Sequence, residues 1–125
     1  MTNAVRLFML FEAASFVAAA LVHSGVLIQG YEHQEARTAE GVIAIVLLAG
    51  AALTWVRPSW IRHVGLAAQG FALFGTLVGV FTIAIGVGPR TVPDVAYHIG
   101  IAVILAWGLI VVARAQSDRT TNTTV

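Results

Sequence analysis

The sequence predicts an all-α fold: a four-helix transmembrane bundle that runs up-down-up-down, with both termini in the cytoplasm. Two properties of the chain indicate this class. Apolar residues make up 58% of the 125 residues and charged residues only 10%, whereas soluble domains carry about 25% charged residues. The apolar residues also fall into four long runs separated by short polar stretches. Because so few charges cannot cover the surface of a small soluble domain, we expect lipid to cover it.

The four runs predict helices at about residues 5–30, 40–56, 64–87 and 94–113, in a single domain over residues 1–114. None alternates polar with apolar residues, and each exceeds the roughly 10 residues of a barrel strand. At about 1.5 Å per residue, the first, third and fourth can cross a hydrocarbon core about 30 Å thick. The second is short, so it crosses without tilt, crosses with its helix extended through Ala39 and Glu40, or is re-entrant. Residues 115–125 are predicted to form a disordered cytoplasmic tail.

Local signals mark the ends of these helices. Arg6 precedes a long apolar run with no clear cleavage site, which favours a retained first helix over a signal peptide. Pro58 stops the second helix, because proline disfavours helical geometry in the residue before it. Gly88 and Pro89 end the third helix. Asp94 follows a proline in the first turn of the fourth helix, where a carboxylate favours the positive helix end.

The basic residues in the short loops predict the orientation, since they concentrate on the cytoplasmic side. Five arginines fall on one side of the predicted topology and two on the other: Arg6, Arg57, Arg62, Arg114 and Arg119 against Arg37 and Arg90. This distribution places both termini in the cytoplasm and predicts a multi-pass protein of the bacterial plasma membrane.

Composition also limits the function. The chain has no cysteine, which excludes disulfides and thiolate metal sites. A net charge of +1 gives no basis for nucleic-acid binding. The expected partner is therefore the lipid bilayer. Gly75 and Gly79 form a GxxxG pattern, which packs helices within the bundle or makes a homodimer face.

Two polar residues are predicted at membrane depth toward the cytoplasmic side, Glu12 in the first helix and Gln69 in the third. Polar groups in a spanning helix are costly and often functional. One interpretation is a proton-linked or cation-binding carboxylate with Gln69 as its hydrogen-bond partner. The alternative is a neutral glutamate that only holds two helices together or extends to the interface.

A second polar group is predicted near the outer ends of the helices. It comprises the ligand-binding candidates His23, Glu40, Asp94, Tyr97 and His98. His23 is expected six or seven residues inside the first helix and His98 about four inside the last, so the two rings could meet. Asp94 precedes His98 by four residues, which places its carboxylate over the imidazole.

Three interpretations of this outer group remain open, together with a bound small molecule. His23 and His98 with Glu40 or Asp94 could ligate a metal ion, since imidazole and carboxylate suit Zn²⁺, Cu²⁺ or Fe. His23 and His98 could instead be axial ligands of a haem b between helices. In the third interpretation the histidines are hydrogen-bonded to Glu40 and Asp94 and only tie the helix ends together.

The chain has four predicted helices in little more than a hundred residues, with Glu12 early in the first. In this overall arrangement it resembles the small multidrug resistance transporters. In that family the glutamate exchanges protons for cationic drugs in an antiparallel dimer, so the resemblance implies this role for Glu12. The chain lacks the tryptophan- and tyrosine-bearing motifs of that family. Its five-to-two arginine distribution differs from the dual insertion that some members need.

Three functions follow as expectations. The leading one is a small bacterial membrane protein that binds a ligand, a metal ion or haem through the outer His/acid group, as a possible accessory subunit. The first alternative is a proton-coupled transporter that uses Glu12 with Gln69. The second is a membrane-embedded enzyme in which His23 or His98 acts as acid and base.

Overall fold

A computed structural model describes residues 2–121, and over that range the chain is helical with no strand. Four α-helices follow one another: α1 (Thr2–His23), α2 (Gln34–Val56), α3 (Ile61–Ala84) and α4 (Val92–Thr121). A short 3-10 helix, Pro58–Trp60, leads into α3. All four α-helices are long and apolar enough to cross a membrane, which confirms the predicted all-α fold of four such helices; the cytoplasmic position of both termini stays a prediction.

α1 ends at His23, seven residues before the predicted end at Gly30. The backbone leaves the helix because Gly25 and Gly30 adopt φ values of +79° and +101°, which glycine reaches without the steric cost of a side chain. The chain then turns back, and the His33 amide donates to the His23 carbonyl at 2.9 Å. His23 therefore lies at the end of its helix and not two turns inside it.

α2 begins at Gln34, six residues before the predicted start, and its 23 residues make it one residue longer than α1. The His33 side chain caps it by accepting from the Ala36 amide at 3.2 Å. No re-entrant segment is therefore needed. α3 and α4 each begin two or three residues earlier than predicted. α4 continues to Thr121, so residues 115–121 of the predicted disordered tail are helical; residues 122–125 lie outside the described part.

The helices pack as an up-down-up-down bundle. Each one contacts its neighbours in the order α1, α2, α3, α4 and back to α1, and α1 also contacts α3 across the middle. Near one end, a Cβ added to Gly65 of α3 would lie 3.1 Å from both Val5 of α1 and Val112 of α4. This close approach places the first turns of α1 and α3 beside the last part of α4.

The outer surface of the bundle is apolar, unlike that of a soluble bundle, and polar residues lie among the apolar residues of the core. Large apolar side chains cover the outside, with Leu7 65% and Phe74 68% exposed. The buried set includes eight polar or charged residues: Glu12, His23, Glu40, Thr54, Gln69, Thr76, Asp94 and His98. Buried ionisable groups are rare unless paired or functional, so these positions define the candidate site.

Candidate functional site

Three ionisable side chains from three helices meet at one end of the bundle. His23 closes α1, Glu40 lies in the second turn of α2, and Asp94 lies in the first turn of α4. His23 Nδ1 is 2.7 Å from Glu40 Oε2, and His23 Nε2 is 2.8 Å from Asp94 Oδ1. All three side chains are buried. We call this group the His23 triad.

The proton count of the His23 triad follows from its two hydrogen bonds. Either an imidazolium donates to two carboxylates, or a neutral ring donates to one carboxylate and accepts from one protonated carboxyl group. Both arrangements hold two protons and carry one net negative charge. Among the described arginines, Arg90 lies nearest in sequence to Asp94, but it donates to the carbonyls of Ile83 and Ala84. Among the residues whose side chains the structure describes, the ion pairs of Glu40 and Asp94 are both with His23 and include no arginine.

Thr91 holds Asp94 in place at the start of α4. Its hydroxyl donates to Asp94 Oδ2, and the Asp94 amide donates back to Thr91 Oγ1 at 3.3 Å. A threonine that exchanges hydrogen bonds with the residue three positions on is a helix N-cap arrangement. Both carboxylate oxygens of Asp94 are thus engaged, one by Thr91 and one by His23.

His98 is oriented differently from the sequence-based expectation. Its Nδ1 lies 2.7 Å from the backbone carbonyl of Asp94 and so donates to it, while the Asp94 carboxylate is turned toward His23. This bond places the proton on Nδ1 and leaves Nε2 of a neutral ring as an acceptor. Nε2 points at Gly79 of α3, where an added Cβ would lie 2.9 Å away. No hydrogen bond joins His98 to His23 among the described residues.

Tyr97 faces α1 rather than the triad. Its hydroxyl is 3.1 Å from Ser15 Oγ, and its ring packs edge-on against Phe16 and His98. This hydroxyl pair crosses from α4 to α1 between the His23 triad and the level of Glu12.

A cavity of about 190 Å³ lies between α2, α3 and the start of α4. Glu40 and His98 both line it, as do Gly75 and Gly79. Glu40 Oε1 has no hydrogen-bond partner among the residues whose side chains the structure describes, although Glu40 is only 4% exposed. We call this space the small cavity; its wall includes the residue with the unpaired carboxylate oxygen, Glu40, and the residue with the acceptor nitrogen, His98.

A cavity of about 370 Å³, the large cavity, lies on the other side of the triad. His23 and Asp94 contribute to its wall, together with the hydroxyl-bearing Ser15, Tyr31 and Tyr97. The remaining wall is apolar and mostly built from small residues of α1. The His23 triad therefore separates two cavities, with Glu40 on the small one and Asp94 on the large one.

The Glu12 and Gln69 side chains lie together on the contact between α1 and α3, and both are fully buried. Neither the two Glu12 oxygens nor the Gln69 amide atoms have a hydrogen-bond partner among the described residues. Sequence reasoning paired these two residues but did not include Gly108 of α4, which faces both. A glycine within an apolar run was the only signal that could have indicated it.

Gly75 and Gly79 both face neighbours inside the bundle. A Cβ on Gly75 would lie 2.8 Å from Ile43 of α2, and one on Gly79 would meet His98. Both glycines therefore serve close contacts within one chain. A homodimer through the same face stays a prediction.

The donor set for a metal ion is limited in this arrangement. Both nitrogens of His23 are hydrogen-bonded to carboxylates, so neither is free to bind a metal or a haem iron. Over the part of the chain that the structure describes, no group of three or more His, Cys, Asp or Glu side chains has a geometry that could hold a metal ion.

Comparison with known proteins adds no family. No family model matches the chain, and no curated protein and no solved structure shows significant similarity to it.

Proposed function

We propose that this chain is a multi-pass protein of the bacterial plasma membrane, with both termini in the cytoplasm, that binds a small organic cation in the small cavity. The membrane location is supported by the exposed apolar surface and the buried polar residues. The orientation is supported by the five-to-two distribution of arginines between the two ends.

The proposal that the ligand is a cation depends on one observation. Glu40 Oε1 has no partner within the described range, is buried, and belongs to a triad with one net negative charge. An unpaired buried charge is costly, and a bound cation with N–H donors removes that cost. His98 lines the same cavity, and its Nε2 adds an acceptor for a second N–H of the same ligand.

The volume limits the size of the ligand. Pockets for drug-sized molecules measure about 300–1,000 Å³, and the small cavity has about 190 Å³. A primary ammonium ion with a short alkyl group fits both the charge and the space. Ethylammonium is therefore a suitable probe, with ethanol as a neutral control of similar size.

The experiment is calorimetric titration of the detergent-purified protein. We expect ethylammonium chloride to bind and ethanol not to bind. Glu40→Gln removes the charge of the acceptor, and a hydrogen bond to a charged group contributes about 1.5–3 kcal/mol, so affinity should fall by about ten- to a hundredfold. Glu32→Gln is the matched control, since Glu32 is exposed and accepts from the Gly30 amide in the loop. Equal affinity for ethanol, or an equal loss in both variants, contradicts the proposal.

The same preparation tests the metal and haem alternatives. An absorption spectrum with a haem Soret band, or stoichiometric metal that is lost in His98→Ala, would replace the organic cation by a metal or haem ligand. A colourless, metal-free protein that binds ethylammonium supports the proposal.

A further inference from the structure

The large cavity is a second space in the bundle, and the proposed cation does not occupy it. It measures about 370 Å³, which is within the roughly 300–1,000 Å³ of pockets that hold small organic molecules. Its wall comes from α1, from the segment between α1 and α2, and from the start of α4. Such pockets combine a mostly apolar wall with a few polar groups, and the polar groups determine which ligand fits.

The charges around the large cavity favour a neutral ligand. Asp94 lines it, but both Asp94 carboxylate oxygens are engaged, one by His23 and one by Thr91. The unpaired carboxylate oxygen of the triad belongs to Glu40, which lines the small cavity instead. A cation in the large cavity would therefore have no free carboxylate oxygen of the triad to bind. An anion would be repelled by the net negative charge of the triad at short range.

Hydroxyl groups supply the hydrogen-bond donors of this cavity. Ser15 and Tyr97 both line it, and their hydroxyl oxygens are 3.1 Å apart. The pair holds two protons, and the hydrogen bond between the two groups uses only one of them. One O–H therefore remains for another acceptor. Tyr31 adds a third hydroxyl group to the wall. Neutral O–H donors of this kind suit a neutral oxygen acceptor, such as a carbonyl group.

The rest of the wall is apolar and partly faces the outside of the bundle. Five aliphatic residues complete it: Ala18, Ala19, Val22, Ile28 and Pro93. Ala18 of α1 and Pro93 of α4 are both exposed on the outer surface. With the proposed membrane location, lipid covers this surface. A molecule dissolved in the bilayer can therefore reach the cavity between α1 and the start of α4 without crossing the core of the bundle.

We propose that the large cavity binds a neutral, lipid-soluble carbonyl compound. Its oxygen accepts the free O–H of the Ser15 and Tyr97 pair, and its apolar body lies against the small residues of α1. The volume suits a compact molecule of one or two rings and is too small for a whole phospholipid with two acyl chains. This site uses neither the free carboxylate oxygen nor the space of the cation site, so the two proposals stand or fall separately.

Photolabelling with benzophenone tests the site. Benzophenone is a neutral diaryl ketone, and under near-ultraviolet light its carbonyl group adds across a neighbouring C–H bond and so marks the residue that it contacts. The detergent-purified protein is irradiated at increasing benzophenone concentration, and mass spectrometry locates the label. We expect saturable labelling of residues that line the large cavity, such as Val22 and Ile28. Labelling that does not saturate, or that lies away from this cavity, overturns the proposal.

Competitors test the role of the carbonyl oxygen. Dicyclohexyl ketone and dicyclohexylmethane have the same two apolar rings, but only the ketone accepts a hydrogen bond. We expect the ketone to displace the label at a concentration about tenfold lower, which is the effect of one hydrogen bond. Equal displacement by the two compounds overturns the proposal. Displacement by phosphatidylglycerol as strong as that by the ketone also overturns it, because an acyl chain of a bilayer lipid would then fill the cavity.

Substitutions in the wall test the position of the ligand. Ser15→Ala combined with Tyr97→Phe removes the hydroxyl pair and keeps the apolar wall, so saturation should need about tenfold more benzophenone. Ala18→Leu fills space on the α1 side with both hydroxyl groups intact, and saturable labelling should be lost. Ala14→Leu is the matched control, because Ala14 is also exposed on α1, about one turn earlier, but does not line the cavity.

Three results with these variants would overturn the proposal: unchanged labelling in a folded double variant, unchanged labelling in Ala18→Leu, or an equal loss in Ala14→Leu. If the double variant does not fold, the comparison of Ala18→Leu with Ala14→Leu still decides whether the ligand occupies the large cavity.

Discussion

Replacing Gly108 by alanine should destabilise the bundle, although alanine is the better helix former. The added Cβ would lie 1.9 Å from Gln69 Oε1, 2.8 Å from Glu12 Oε1 and 3.1 Å from Gln69 Cδ. The amide must therefore move, yet Gln69 is fully buried between helices. Overpacking of this kind costs about 1–3 kcal/mol, which outweighs the gain of about 1 kcal/mol from helix propensity.

Gly100→Ala is the matched control in the same helix. A Cβ at Gly100 meets nothing within 4 Å, so only the propensity term remains, and the variant should be as stable as the wild type or more stable by up to about 1 kcal/mol. The two substitutions make the same chemical change in α4, so their difference reports the contact with Gln69.

The measurement is the free energy of unfolding in mixed micelles, from a titration with sodium dodecyl sulfate followed by the fluorescence of the three tryptophans. We expect Gly108→Ala to be less stable than Gly100→Ala by about 2 kcal/mol, the cost of overpacking, because the gain in helix propensity is common to both variants and cancels. Equal stability of the two variants would show that Gln69 is not held against α4, and the site around Glu12 would lose its geometric basis.

Two further predictions concern the His23 triad and the small cavity. Gly79→Ala places a Cβ 2.9 Å from His98 Nε2, and the ring cannot shift freely because its Nδ1 donates to the Asp94 carbonyl. Calorimetry should therefore show an ethylammonium affinity reduced by about tenfold, as for one lost hydrogen bond. An unchanged affinity would contradict the assigned position of the ligand. Thr91→Val removes the N-cap of α4 and the hydrogen bond from the threonine hydroxyl to Asp94, so the free energy of unfolding should fall by about 1 kcal/mol. Thr38→Val, at an exposed position in α2, is the control and should change stability little. Equal effects of the two substitutions would refute the capping role.

The helices could be predicted from the sequence because each one coincides with a long segment of high apolar content. Charges are so few that four apolar segments stand out, and the proline and glycine signals put most ends within a few residues. The end of α1 was predicted seven residues too late, since Val26, Leu27 and Ile28 continue the apolar run. Their backbone leaves the helix because of the conformations of Gly25 and Gly30, which an apolar pattern does not report.

The membership of the candidate site could be predicted in part. Depth along each helix placed His23, Glu40 and Asp94 at one end, and the structure joins them by hydrogen bonds. Which atoms meet depends on the rotation of each helix, and this is set by close contacts at positions such as Gly79 and Gly108. The spacing of Asp94 and His98 suggested a side-chain pair, but the backbone carbonyl of Asp94 is nearer to the ring.

The first turns of α4 form part of the wall of both cavities. Asp94 and Tyr97 border the large cavity and His98 borders the small one. Because these residues belong to one short stretch of a single helix, a substitution that displaces this stretch changes the shape of both cavities at once.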